Sequence, residues 1–377
     1  MPKRANFASI QLSHHIPTKN QKPSRFRTGF ETIVPYKTSN SFIGKAKHDG
    51  KIIKIDNELE LIIVEYKDKT TEAFKFGESR GESPGLSINH RLKVIPEIKV
   101  GKQVKEDEIL TYHEDFFDYD LISKTVSWCH GVPAVVAISA KDTTLEDSSM
   151  ISSELASKLE LESIYDRPIV ITSDMVISDY VKIGQVVKHN DPLLKLQYQT
   201  TADLAGEADE LFEDLHTVEY RSKNNGVITD IQIFHVSEEL NDSVVKFISK
   251  STQKHRQKAS LAKGSNNQQD FIVNNKVDVG TRIKGFKLGE NDILIVYYIK
   301  VKVEAGVGDK VVFDSSLKSV IGRVSDHPII TEEGETIDAV FGLNSIFNRI
   351  ILSPMIQGIS DRVLKHVEQD LVNDYFK

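Results

Sequence analysis

The chain has 377 residues, 39% hydrophobic and 27% charged, which is enough for two to three domains with their own cores. Its longest apolar run, near 132–138, is too short to cross a bilayer, and the first residues lack a charged-then-apolar leader, so neither membrane insertion nor export is expected. The single cysteine, Cys129, excludes internal disulfides and cysteine-rich zinc sites and suits a reducing cytoplasm, while a net charge of -7 does not announce a nucleic-acid binder.

In chain order, residues 1–40 are basic: Lys3, Arg4, Lys19, Lys22, Arg25, Arg27 and Lys37 stand against Glu31 alone. Asp49-Gly50 is a hairpin dipeptide, and residues 50–66 alternate or run apolar in the manner of strands. Ile98-Lys-Val-Gly101, leading to Ile109-Leu110, begins a weak repeat; Val181-Lys-Ile-Gly184 and Val277-Asp-Val-Gly280 start in the same way. Each copy reads as strand, tight glycine turn, strand, a unit of compact β-barrels that names no function. The aspartates of Asp115-Phe-Phe-Asp118-Tyr-Asp120 are spaced three then two and lack a glycine, which does not suit a loop wrapped around one ion. Trp128-Cys129-His130 reads as packing.

Helical apolar spacing predicts helices over 148–161 and over 359–376, with Ser360 as a cap for the second. Residues 199–216 and 250–270 are polar, and Asn225-Gly226 opens another strand run. A second basic run, 246–263, holds Lys246, Lys250, Lys254, Arg256, Lys258 and Lys263 with no acid. Local basic surface attracts a nucleic-acid backbone whatever the total charge, but solvated arms would look the same. The pattern as a whole predicts a mainly β protein with some helix (α+β). An inserted module falls between about 160 and 290, and the segments on either side meet in one core.

Four stretches in order resemble the β subunit of cellular RNA polymerases. Arg4-Ala5 through Thr28-Gly29-Phe30-Glu31 is similar to a family segment that begins Arg-Ala-Leu-Met-Gly and ends Gly-Thr-Gly-Met-Glu. Ile88-Asn89-His90-Arg91 is similar to Ile-Asn-Gln-Arg, and Leu145-Glu146-Asp147 through Met150-Ile151-Ser152 to Phe-Glu-Asp-Ala-Ile-Val-Ile-Ser. Val307-Gly308-Asp309-Lys310, with Lys318 and Arg349 beyond it, is similar to Val-Gly-Asp-Lys, a following lysine and the arginine of Val-Pro-Ser-Arg. Ser315-Ser316-Leu317, Ile346-Phe347-Asn348 and His14 depart from the family pattern. The resemblance covers nearly all of this chain but only about the second half of a β subunit, and is closest to the split β subunits of large bacterial viruses.

The resemblance implies a double-psi β-barrel core assembled from both ends of the chain, with a flap-like insertion. It divides the chain into a basic segment at 1–40, barrel parts at 41–155 and 291–358, a flap-like module at 156–290 and a terminal helix at 359–377. It implies Arg4 and Arg349 as triphosphate-contacting arginines, suited by a planar fork that stays charged. Lys310 and Lys318 would lie along the RNA 3′ end and the incoming nucleotide. Glu146 and Asp147 would stand near a second, nucleotide-borne Mg2+, the catalytic ion being held by a partner β′-type subunit. Each residue has a plainer reading: surface arginines, a lysine following a Gly308-Asp309 turn, and a capping box at Thr143-x-x-Glu146.

The implied activity is DNA-directed RNA synthesis as one chain of a complex. Its partners would be an N-terminal β-type fragment, β′-type subunits, DNA template, nascent RNA, nucleoside triphosphates and a promoter-recognition factor at the flap, in the cytoplasm of a bacterial host. The 246–263 run would lie on the flap and touch RNA or a partner. The competing expectations are a non-enzymatic, β-rich viral structural or interaction protein, and a nucleic-acid-binding regulator that uses the 1–40 arm.

Overall fold

The structure is a computed structural model that describes residues 18–83, 86–129, 131–140, 144, 146–198, 217–237, 239–313, 317–332, 334–349 and 353–376. The protein is mainly β with a minority of helix. A short helix α1 (Val34–Lys37) leads into β1 (Ile43–Lys45), the meander β2 (Gly50–Asp56), β3 (Leu61–Tyr66), β4 (Thr71–Lys75), and the ribbon β5 (Gly77–Ser83) with β6 (Leu86–Val94). After β7 (Gln103–Val104) and β8 (Ile109–His113) comes the hairpin β9 (Phe117–Asp120) with β10 (Thr125–Trp128). The middle of the chain runs β11 (Val136–Ile138), β12 (Ser148–Ser152), α2 (Ser153–Lys158), β13 (Leu161–Thr172), β14 (Met175–Tyr180), β15 (Val186–Val187), β16 (Pro192–Tyr198), β17 (Thr217–Arg221) and β18 (Gly226–His235). Helices α3 (Asp242–Ser251) and α4 (Gln253–Leu261) follow, then the short pair β19 (Arg282–Ile283) and β20 (Phe286–Lys287), then β21 (Asp292–Val303). The chain closes with β22 (Lys310–Phe313), β23 (Leu317–Ser325), β24 (Ile329–Ile330), β25 (Thr336–Ile337), β26 (Ala339–Phe341), α5 (Leu343–Arg349) and α6 (Ser353–Tyr375).

An eight-stranded sheet runs β1-β8-β6-β13-β21-β18-β15, with β5 on β6. Its spine is β13 paired with β21 over the full length of both. The segment 156–290 therefore shares this sheet with Asp292–Val303. One core lies under β1–β10, around Ile52, Leu110, Phe117 and Trp128. A second packs α3, through Val244 and Phe247, on Ile169, Ile231 and Tyr297. Beyond α4, Ala262 and Phe271 reach back onto Leu61, Ile63 and Ala73 of β3 and β4. Trp128 and Cys129 are buried, and burial pushes the Cys129 thiol up to about 12. Among the described residues no helix is long and apolar enough to cross a membrane.

The glycine-turn repeat is real in three dimensions. Gly101, Gly184 and Gly280 have φ of 90°, 89° and 84°, a region open to glycine at little cost. Each donates its N–H to a carbonyl beyond its own turn: Ile52, Ile228 and Leu288 respectively. Gly308, at φ 96°, repeats the device by donating to Ile321.

Both helix expectations need correction. Residues 148–152 form strand β12, because Met150 and Ile151 are drawn between β23 and β26 of a sheet. The helix starts only at Ser153, capped by the Ser152 hydroxyl, which accepts from the Leu155 N–H at 3.0 Å. The terminal helix begins at Ser353, so Ser360 lies inside it and donates to the Ile356 carbonyl.

A polar network is buried where the N-terminal segment crosses the large sheet. The Lys19 N–H donates to the Glu160 carbonyl, and its ammonium lies 3.4–3.6 Å from Glu114, Asp115 and Glu162. Next to it, the Asp115 N–H donates to His113 Nδ1, which leaves the His113 Nε2–H to donate to His90 Nδ1 at 2.7 Å. The His90 ring lies over Gly81, where a Cβ would overlap it. Burial, reinforced by His90 and Lys19, drops His113 to about 3, and burial pushes Asp115 up to about 6 against the pull of Lys19.

These shifts have opposite signs in stability. Below pH 6.5 the unfolded chain accepts a proton that folded His113 refuses, so stability falls as pH drops toward 3. Asp115 works the other way between about pH 4 and 6, because the folded form holds the proton longer. His113→Gln removes only the first effect. In urea melts at pH 7 and pH 5, the variant should lose about 2 kcal/mol less than the parent on acidification. Equal losses would show that His113 does not titrate in this way.

Candidate functional site

A five-stranded mixed sheet, β11-β26-β12-β23-β22, joins residues 136–152 to residues 310–341. β12 runs parallel to β23 and antiparallel to β26, and β11 runs parallel to β26. Strands from both sides of the 156–290 segment thus build one sheet, although more than 150 residues separate Ser152 from Lys310.

Two candidate lysines stand on the hairpin β22–β23. Lys310 pairs with Val320 and Lys318 with Val312, so all four side chains leave the same face. That face is open: both lysines are exposed, and Val312 and Val320 between them are 40% and 39% exposed. The other face carries Leu317 and Ile321 into cores with Phe313, Ile151 and Phe341. Neither lysine makes an ion pair among the described residues.

Arg323 is a cation that the sequence pattern misplaces. Strict alternation from Leu317, Ser319 and Ile321 would turn it inward. The register of β12 against β23 skips Gly322, pairing Ser149 with Ile321 and Met150 with Arg323. A bulge of this kind shifts every later side chain to the opposite face. Arg323 therefore joins the side of Lys310 and Lys318, and it is exposed. The glycine at 322 is the only hint in the sequence.

The turn that holds the acidic pair is bonded through its backbone to the same hairpin. Glu146 and Asp147 are exposed in a turn that feeds β12, with Glu146 at φ 53°. The Asp147 carbonyl accepts from the Val320 N–H at 2.9 Å and from the Ser319 hydroxyl at 2.7 Å. The Glu146 carbonyl accepts from the Ser345 hydroxyl of α5. Gly342 admits this close approach, since a Cβ there would overlap the Thr144 carbonyl. The pair is not a helix N-terminus, which corrects the capping-box reading; Thr143 lies outside the described residues.

Helix α5 is pinned to that turn by Ser345 and to the sheet by Ile346, packed with Leu317 and Phe341. Arg349 is the last residue of this helix. Arg4 and His14 lie outside the described residues, as do Ser315 and Ser316. The turn 146–147 therefore meets two stretches that lie more than 160 residues later, the hairpin β22–β23 and the helix that ends at Arg349.

The basic N-terminal segment behaves differently. Lys19 is enclosed by three carboxylates, Lys22 pairs with Asp118, Arg25 with Asp361 and Glu368, and Arg27 with Asp120. The cleft between this segment, the β9–β10 hairpin and α6 is lined by these mutually neutralising groups. They leave Asp118 and Asp120 as ion-pair partners, and the Asp120 carboxylate also accepts from two N–H groups of its own turn. Among the described residues, no group of three or more His, Cys, Asp or Glu could hold a metal ion.

A comparison with models of known protein families found no match, and no curated protein matches the chain.

Proposed function

We propose that this chain is a β-type subunit of a multisubunit DNA-directed RNA polymerase, corresponding to the second half of that subunit and active only with its partners. The observation that carries this reading is the meeting, on one sheet, of Glu146-Asp147, Lys310, Lys318 and the helix ending at Arg349. These are the positions that the family resemblance selects apart from Arg4, and the acidic pair lies more than 160 residues before Lys310.

The chemistry suits the arrangement. Transfer of a nucleotidyl group builds negative charge on a triphosphate, and fixed cations beside it lower the barrier. Lys310, Lys318 and Arg323 present three exposed charges on one face. Two adjacent exposed carboxylates are too few for an octahedral oxygen shell, but suit a Mg2+ held mostly by phosphate oxygens and by a partner chain. In this proposal the metal's contribution is to polarise the reacting phosphate, and this chain's residues orient the triphosphate. The double-psi β-barrel belongs to the same proposal, supported by a mixed sheet drawn from both sides of the 156–290 segment.

Helix α6 supports a role within an assembly. Arg25 holds its Asp361 and Glu368, while Glu335 holds Arg362 and Lys365. The opposite side carries Ile359, Val363, Val367 and Leu371, which are 64%, 57%, 47% and 65% exposed. An apolar ridge at four-residue spacing, turned outward, suits burial against another chain. Val363→Glu with Val367→Glu should leave the fold and melting temperature of the chain unchanged and abolish co-purification with its partners. Co-purification at the parental level would remove α6 from the interface.

The direct test is to isolate the chain with its partners from its native source. A partner carrying an Asp-x-Asp-x-Asp metal loop, and template-directed RNA synthesis by the complex, is the expected result. A homogeneous assembly of this chain without such a partner would favour the structural-protein reading instead.

A further inference from the structure

Helices α3 and α4 carry a run of 27 residues, 243–269, without an aspartate or glutamate. Six lysines and arginines lie in it. Lys254 and Lys258 turn to the body and share Glu60, and His255 pairs with Asp230. The remaining four, Lys246, Lys250, Arg256 and Lys263, are exposed and have no acidic partner among the described residues. Arg256 reaches back to the carbonyl and hydroxyl of Ser249, beside Lys250.

The residues between these cations are as telling as the charges. Lys246, Lys250, Gln253, Gln257 and Ser260 follow one another at spacings of four and three, which places them along one side of the helical pair. Gln253, Gln257 and Ser260 are exposed, and α4 has no buried residue of its own. The run's one phenylalanine, Phe247, is buried. Helix α3 opens on exposed Asp242, four residues before Lys246, and carries Val245 at 48% exposure beside the line; from Lys246 onward the side is a line of positive charge and hydrogen-bond donors with no aromatic residue on it.

We propose that the outer side of α3–α4 is a track for the sugar–phosphate backbone of a nucleic-acid duplex. An acidic protein partner would need a large aromatic or aliphatic anchor at the centre of its interface, and this side offers only Val245, near one end of the line. A single strand held by its bases would need aromatic side chains for stacking, and none is offered. Lysine, arginine, serine and glutamine reaching phosphate oxygens are the contacts that position a protein on a duplex without reading its sequence. The inference stands on this charge pattern and does not require the polymerase reading.

The test uses the full chain and a short, labelled, mixed-sequence DNA duplex. Four phosphate contacts predict affinity falling by roughly two decades between about 50 and 200 mM salt. Combining Lys246→Glu, Lys250→Glu and Lys263→Glu should weaken binding at low salt by at least about tenfold and flatten the salt dependence, while the matching Lys→Arg variant binds as the parent does. These side chains are exposed, so circular dichroism and melting temperature should not change. No duplex binding at low salt, or binding indifferent to the charge reversal, overturns the proposal. So does equal competition by polyglutamate, which would indicate an acidic protein, or tighter binding of the single strand. Loss of this binding would leave the polymerase reading untouched, because that reading is scored by nucleotide addition.

Discussion

On the proposed function, replacing Lys310 or Lys318 by alanine in the complex of this chain with its partners should slow nucleotide addition on a preformed scaffold by on the order of 10²-fold, with a higher nucleotide requirement and unchanged assembly. The expectation follows from where the side chains are. Both leave the open face of a two-stranded hairpin whose inner face supplies the core contacts. Truncating an exposed lysine without an ion-pair partner changes stability by no more than about 0.5 kcal/mol, so a large loss of rate would report lost charge near the reacting phosphates. Arg323→Ala should behave in the same way, because the bulge at Gly322 brings it to that face. Arg349→Ala tests the helix pinned to Glu146. Lys310→Arg and Lys318→Arg should each keep part of the rate by keeping the charge. A parental rate in any of these variants would remove that residue from the site, and parental rates in all of them would remove the site.

The largest effect on folding should come from Lys19→Met. The ammonium of Lys19 stands among Glu114, Asp115 and Glu162, whose side chains are only 14%, 7% and 8% exposed. Burial works against the charge on Lys19, yet the pull of Asp115, Glu162 and Glu114 leaves its pKa raised. Glu114 would keep Arg91 and Lys93, and Glu162 the Asn89 amide, but removing one partner from a buried ionic cluster typically costs about 3–5 kcal/mol, because the charge it balanced is left uncompensated. Urea unfolding at pH 7 should show a loss of that size. The sign of its pH dependence is fixed by linkage. Without Lys19 the buried carboxylates take up protons more readily in the folded state than in the unfolded chain, so lowering the pH from 7 to 5 should narrow the gap to the parent. A gap that stays constant with pH would mean that the loss is one of packing and not of charge.

The resemblance picked out Glu146, Asp147, Lys310, Lys318 and Arg349 while saying nothing of how they meet. The turn reaches the hairpin through one backbone hydrogen bond from the Val320 N–H and one from the Ser319 hydroxyl, and reaches α5 through Ser345. None of these partners resembles the family motifs, and a carbonyl acceptor leaves no trace in a sequence. Gly308-Asp309 also has a plain structural use, since the same turn occurs at Gly101 and Gly184, away from this face. In the proposed function the lysine that follows it is the part left for chemistry.

Charge was the least legible property. In the sequence, the segments 1–40 and 246–263 look alike. In the fold, the first has Lys19, Lys22, Arg25 and Arg27 matched to acids as far away as Glu368, while the second matches only Lys254 and Lys258. Deleting 246–263 would therefore be a poor probe of the basic track, because Ala262 belongs to the core around Leu61 and Ile63.

The sequence by itself determined the short-range features: the mainly β character, the glycine turns and the hairpin starts. Those depend on a few adjacent dihedrals and on alternation along one strand. Tertiary structure alone decided which cations are neutralised, that residues 148–152 extend rather than coil, and that a bulge turns Arg323 outward. Each of these depends on a neighbour distant in the chain, and the energy of an ion pair or a sheet register does not exist until that neighbour arrives.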